Sequence, residues 1–322
     1  MARVIAVANL KGGIGKTTTV VNVGAGLALK GARVLLVDTD AQGNLAMALG
    51  VQPRRTLYDV LVDGAAVDRC VLEARPGLHL LAADATLLGA QPVIARRPDW
   101  SRVLAQALQP ALGAYDFVLI DSAGSLTPLN VNALVCAQDV IAPTTIEHFS
   151  VKSLDLLFTQ VGRVKGGSGS IRMIVPTMYD PRVRQSGELL SSLRSRYGAL
   201  VAPPVRVNVR LSEAPAHGKT IYEYDPRSRG AIDYALLVEH ISKTFGYGAA
   251  AQAAPAPVAR RPAPAVAPPT AAVASPRSAS LAPSAESCPN CGRSLQHATL
   301  AGYRVSYCDH CRYKTQVLAR ER

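Results

Sequence analysis

The 322-residue chain is 48% hydrophobic, enough for a buried core in one large or two modest domains, yet no apolar run approaches the roughly 18 residues of a membrane span. The opening MARVIAV lacks the basic, apolar and cleavage regions of a secretion signal, so a cytoplasmic protein is expected. With 35 basic against 23 acidic residues, the net charge of +12 favours a polyanionic partner without naming one.

The first predicted strand, Val4–Ala8, runs into KGGIGKTTT at residues 11–19, and a helix over Thr17–Lys30 follows, closed by Gly31. Strand, glycine loop and Lys-Thr opening a helix form a phosphate cradle. Unpaired amides and the helix dipole there both favour anions. Gly12, Gly13, Ile14, Gly15, Lys16, Thr17 and Thr18 would wrap the phosphates of a nucleotide, with Lys16 bridging the β- and γ-phosphates and the Thr17 hydroxyl on Mg²⁺. The usual G-x-x-x-x-G-K-[ST] loop begins with glycine, but position 10 is Leu and a second lysine, Lys11, follows it.

Further strands are predicted at Val34–Val37, Leu78–Ala82, Phe117–Ile120, Val140–Pro143, Ile171–Pro176 and Val205–Val209, separated by amphipathic stretches. Their apolar runs are continuous, as in strands covered on both faces. The expected fold is therefore α/β, a mostly parallel, doubly wound sheet of the P-loop NTPase type. Acids end two of these strands: Asp38 and Asp40 in DTDAQGN, and Asp121 in FVLIDSAG. Ligands bind at the carboxyl ends of strands in open α/β sheets, so these acids are candidate metal-site and catalytic groups.

Composition changes after residue 246. Of residues 247–287, 16 are Ala and 8 are Pro, which predicts a disordered, extended linker that cannot bury enough apolar surface to fold. Residues 288–322 then carry Cys288, Cys291, Cys308 and Cys311 as C-x₂-C, sixteen residues, C-x₂-C. Four thiolates at this spacing suit tetrahedral Zn²⁺ in a small ribbon module. Tyr303, Arg304, Tyr307, Arg312, Tyr313 and Lys314 interleave aromatic and basic groups there, which suits nucleic acid or an acidic protein equally.

KGGIGKTTT, DTDAQGN, DSAGSLTPLNVNAL and NVRLSEAPAHGKTIYEYDPRSRGAIDY, in that order, resemble the ParA/Soj family of chromosome- and plasmid-partitioning ATPases over residues 3 to 245. The resemblance implies that Lys11 is the signature lysine of a deviant Walker A loop and reaches the phosphates held by the other subunit of an ATP-dependent homodimer. It implies that Asp40 positions the attacking water, that Asp38 supports Mg²⁺ and its waters, and that Asp121 is the Walker B acid. Lys11, Lys16 and Asp40 are then the catalytic set. It further implies ATP-state binding of non-specific double-stranded DNA, a nucleoid-associated location and a ParB-type activator. Candidate DNA contacts are Arg182, Arg184, Arg206, Arg210, Lys219, Arg227 and Arg229.

The chain departs from the family pattern at Ala41, where Pro is usual, and at Asp121-Ser122-Ala123-Gly124, where Asp-x-Pro-Pro is usual. It departs again at Arg206-Val207-Asn208-Val209-Arg210, where Pro-Arg-Asn-Val-Arg is usual. An alternative reading keeps the ATP dimer but gives it another cellular cargo, with the zinc ribbon as adaptor. A membrane-cycling relative would normally end in an amphipathic helix, whereas YKTQVLARER is short and follows the ribbon directly.

Overall fold

The computed structural model describes residues 2–125, 127–248, 287–300, 303–308, 310, 311 and 313–318. The N-terminal half of the chain folds as β1 (Arg3–Val7), α1 (Lys16–Leu29), β2 (Val34–Asp38), α2 (Asn44–Leu49), α3 (Leu57–Leu61), β3 (Leu72–Arg75), β4 (Leu78–Leu81), α4 (Leu87–Ala95), α5 (Val103–Leu108) and β5 (Phe117–Asp121). It continues as α6 (Pro128–Cys136), β6 (Asp139–Thr145), α7 (His148–Lys165), β7 (Ile171–Thr177), α8 (Arg184–Tyr197), α9 (Val209–Glu213), α10 (Ile221–Tyr224) and α11 (Arg229–Thr244).

The strands form one sheet in the order β3-β4-β2-β5-β1-β6-β7. Every neighbouring pair is parallel except β3 and β4. Alternation along the central strands sends side chains to opposite faces. Val4, Ala6, Leu35, Val37, Val118 and Ile120 join one buried cluster with Leu57, Leu87, Leu129 and Leu154. Leu36 and Leu119 point the other way, against Gly24 of α1. Helices therefore cover both faces, and the continuous apolar runs follow from that.

Six predicted strands are present, with ends shifted by one or two residues. The antiparallel β3 was not expected; it reaches β4 through Pro76-Gly77, a turn dipeptide that marks the hairpin. The strand expected at Val205–Val209 is absent. Only an isolated bridge joins Arg206 to Tyr179 there. The Val205 and Val207 amides donate to the Pro176 and Tyr179 carbonyls, while the Arg206 amide between them donates to Asp233 Oδ2 at 2.9 Å; the Asn208 side chain then accepts from the Arg210 amide to start α9, so pairing ends at a single bridge.

Pro143 lies inside β6, a strand with neighbours on both sides. Pairing with β1 stops at Ile141, because β1 gives way to the glycine loop, so no ladder bond is lost where proline lacks its N–H. The Pro143 carbonyl accepts from Asn9 Nδ2 at 2.8 Å, which ties the loop's first residues to β6.

The chain divides into two compact units, Met1–Phe245 and Gly246–Arg322. The expected linker lies outside the described residues except for 247, 248 and 287. In the second unit β8 (Gln296–Leu300), β9 (Tyr303–Tyr307) and β10 (Lys314–Leu318) form an antiparallel sheet in the order β10-β9-β8. No helix among the described residues is long and apolar enough to cross a membrane.

Leu119 is fully buried at the middle of the sheet. Leu119→Ala should cost about 2–5 kcal/mol in urea unfolding; a loss below about 1 kcal/mol would show that α1 does not pack on β5 as described.

Candidate nucleotide-binding site

The loop between β1 and α1 emerges at the carboxyl end of a central strand, beside the ends of β2 and β5. Gly15 is the N-cap of α1 with φ 85°, and Gly13 has φ 69°. Both lie in the left-handed region that glycine adopts without strain. With no side chain capping α1, its first amides stay directed into the loop. The Thr177 hydroxyl, at the end of β7, donates to the Ile14 carbonyl at 2.9 Å and fixes the loop from the side.

Lys16 is buried, and its ammonium donates to the Lys11 carbonyl at 2.8 Å. Burial lowers its pKa, while Asp121 and Asp40 nearby oppose that shift. The Thr17 hydroxyl donates to Asp121 Oδ2 at 2.6 Å. Asp121 Oδ1 is buried with no hydrogen-bond partner. Asp38, also fully buried, accepts from the amides of Asp40 at 3.0 Å and Leu45 at 3.1 Å. The Asp40 carboxylate accepts from the Gln42 amide at 3.0 Å and remains half-exposed.

Burial pushes Asp121 up to about 7 and Asp38 well above the usual carboxylate range, with Asp121 adding to the Asp38 shift. A hydroxyl paired to an acid whose second oxygen is orphaned, beside two further acids, is a donor set that fits a hard divalent cation such as Mg²⁺.

Lys11 lies apart from that cluster. Its ammonium pairs with Glu147 Oε2 at 2.7 Å and donates to Thr145 Oγ1 at 3.3 Å. The Lys11 hydrogen bond holds the Glu147 carboxyl below its ordinary value. Gly124, one of the departures from the family pattern, sits against the Lys11–Gly12 peptide. A Cβ there would lie 3.3 Å from the Gly12 nitrogen and 3.4 Å from its Cα, so the loop after β5 touches the glycine loop directly.

Thr17 and Thr18 open onto a cleft of about 740 Å³ between α1, α2 and the segment 211–219, lined by Val21, Met47, Leu211, Ala214 and Pro215 among others. Its size and mostly apolar lining suit a base and ribose extending from phosphates at the loop. None of these apolar residues carries a functional signal in the sequence, and Lys219, expected as a DNA contact, lines this same cleft. The apolar triplet spacing around Leu211 and Ala214 carried no signal of its own.

The match to known proteins follows this geometry. The AAA_31 family model, an AAA domain, matches residues 2–170. The chromosome partitioning protein ParA of Caulobacter vibrioides is 41% identical over 249 residues, which cover 74% of this chain and 93% of that protein. The chain belongs to the ParA/Soj family. The chromosome-partitioning ATPase Soj of Thermus thermophilus is 40% identical over 243 residues, 74% of this chain and 95% of that protein. Among solved structures, cobyrinic acid a,c-diamide synthase from Mycobacterium smegmatis with bound ADP and magnesium covers 77% of this chain and 97% of that chain, with 31% identity and a TM-score of 0.66.

Of the basic residues expected to contact DNA in a ParA/Soj protein, Arg182, Arg206 and Arg229 meet around a hollow of about 190 Å³ with Tyr179 and Val207. Several are already charge-matched: Arg182 by Asp180, Arg184 by Glu188, and Arg210 by Glu213 and Asp225. Arg206 forks onto the buried Asp233, with Nη2 at 2.6 Å from Oδ1. Among the described residues no carboxylate pairs with Lys219, Arg227 or Arg229, all of them exposed.

The four clustered cysteines converge in the second unit, their Sγ atoms all within 4.8 Å of one another. Backbone amides of Cys311 and His310 lower the Cys308 thiol to about 6.

The raised Asp121 and Asp38 values have a consequence for stability. Folded protein holds protons there that the unfolded chain has shed, so this contribution is complete below about pH 4 and is lost as pH rises through about 7. In metal-free protein the urea midpoint should fall between pH 6 and pH 8 more steeply than in Asp121→Asn. Equal slopes would show that Asp121 is not buried as an acid.

Proposed function

We propose that this chain is an ATP-driven DNA-segregation switch: a Mg²⁺-dependent ATPase that dimerises on ATP, binds non-specific double-stranded DNA in that state, and is reset by hydrolysis under a ParB-type activator. The single observation that carries this reading is the Lys16, Thr17 and Asp121 constellation beneath the glycine loop, with the orphaned Asp121 oxygen beside the Thr17 hydroxyl. Its likeness to a relative solved with ADP and magnesium supports the same ligands here.

In this reading the amides of residues 12–18 and the α1 terminus bind the phosphates, and Lys16 swings from the Lys11 carbonyl to the β- and γ-oxygens. Thr17, with Asp121 and Asp38 behind it, would hold Mg²⁺, which would supply charge neutralisation there. Asp40, more exposed than the other two acids, orients the attacking water. The cleft beside Thr18 takes the ribose and base.

Lys11 acts on the partner's phosphates, which requires it to leave Glu147. That ion pair joins side chains 32% and 59% exposed, the kind of surface pair worth roughly 0.2–1 kcal/mol. The signature lysine is therefore parked within its own subunit at little cost, and transfer to a nucleotide across the interface is easily favourable.

The division into an ATPase unit over residues 1–246, a linker over 247–287 and a ribbon over 288–322 is part of this reading. So are a cytoplasmic, nucleoid-associated location and a DNA surface led by Arg227 and Arg229, whose charges no carboxylate matches among the described residues. Arg182 and Arg206 lie beside Arg229, though Arg206 also neutralises Asp233, so its loss would disturb folding as well as binding.

The test is binding of purified protein to random-sequence duplex DNA with ATP and with ADP across a salt series. Retention with ATP that is lost with ADP, weakening steeply with salt, is expected. Arg229→Ala should weaken it with unchanged nucleotide affinity. Equal retention in both nucleotide states would place the DNA contact outside the switch and overturn the proposal.

A further inference from the structure

We propose that Cys288, Cys291, Cys308 and Cys311 hold one Zn²⁺ as a closed, structural tetrathiolate site on which the C-terminal unit folds. The family match over residues 2–170 does not reach this segment, and the ATPase chemistry makes no use of it.

Three observations carry the proposal. The first is convergence. Cys288 Sγ lies 3.2 Å from Cys311 Sγ, and Cys291 Sγ lies 3.5 Å from Cys308 Sγ, so each short contact joins one C-x₂-C pair to the other. All four atoms fall within 4.8 Å of one another. A Zn–S bond of about 2.3 Å in a tetrahedron puts its sulfurs about 3.8 Å apart, inside that spread. The short contacts are far longer than a disulfide bond of about 2.0 Å, so the thiols are gathered without being joined to one another.

The second is repetition. The Cys288 amide donates to the carbonyl of Arg293 at 2.7 Å, and the Cys308 amide donates to the carbonyl of Tyr313 at 2.8 Å. Each is the first cysteine of its pair bonded to the residue five places on. Two segments of unrelated sequence thus make the same tight turn and present their thiols to a common point.

The third is size. Cys288 and Cys308 are buried, and both cysteine pairs and strands β8, β9 and β10 lie within the short stretch 288–318. Units below about 40 residues rarely bury enough apolar surface to fold without a metal or disulfides. Four protein ligands leave no open coordination position, so the site is structural and not catalytic. Residues 288–322 carry six basic and two acidic residues, a composition suited to the two net negative charges of zinc held by four thiolates.

Metal analysis of the full-length protein, with release by a mercurial reagent and detection by a zinc-sensitive dye, tests this independently of the nucleotide reading. One equivalent of zinc per chain is expected in wild type and in Lys16→Ala. It should be lost in Cys308→Ser and, separately, in Cys291→Ser. The four thiols should resist a thiol reagent in the native protein until the metal is displaced. Wild-type protein with no bound zinc and four reactive thiols would overturn the proposal. So would stoichiometric iron with thiolate-to-iron absorption, or zinc retained in both serine variants.

Discussion

The buried acid Asp121 is the constraint around which the nucleotide site is organised. It ends the strand beside β1 and gives one oxygen to Thr17, while the other finds no partner in a setting closed to water. Desolvation of an unpaired carboxylate is costly unless it takes up a proton or meets a cation. Asp38 lies one strand further on, equally buried, and Lys16 is the nearest buried positive group. When ionised, three acids against one lysine carry an excess of negative charge that a divalent ion offsets, and the Thr17 hydroxyl that would share that ion is 2.6 Å from Asp121.

The rest of the first unit holds this arrangement in place. Parallel pairing aligns the ends of β1, β2 and β5, so residues 7, 38 and 121 stand side by side in register. The glycine loop is pinned at both ends, through Asn9 to Pro143 and through Ile14 to Thr177. Gly124 then brings the loop after β5 onto the Lys11–Gly12 peptide. A family Pro at that position would carry a Cβ into a 3.3 Å approach, so this chain's departure permits a closer contact between the two loops.

Much of this was legible in the sequence because the chemistry sits in contiguous stretches. Strand, glycine loop and helix are one run of about thirty residues, Asp38 and Asp121 each close an apolar run directly, and Asp40 stands two residues after Asp38. The four cysteines announce themselves by spacing. What escaped was non-local. The Thr177–Ile14 bond spans 163 residues, and the Lys11–Glu147 pair spans 136. The cleft walls at Leu211 and Ala214 are ordinary apolar residues whose role depends on what α1 brings beside them. Val205–Val209 reads as a strand because its apolar content is right, and it stops at one bridge because Asp233 takes the Arg206 amide and Asn208 caps α9 directly after it. Propensity could not weigh a carboxylate arriving from a distant helix.

In the proposed switch Lys11 serves the nucleotide of the partner subunit. The rate of ATP hydrolysis in mixtures of Lys11→Ala and Asp40→Ala protein decides whether it does. Each variant alone should be inactive, the first lacking the signature lysine and the second the water-orienting acid. In a mixed dimer the Asp40→Ala subunit supplies Lys11 to a site whose own Asp40 is intact, so activity should return on mixing. Two inactive variants that stay inactive together, while still forming mixed dimers on ATP, would contradict action in trans.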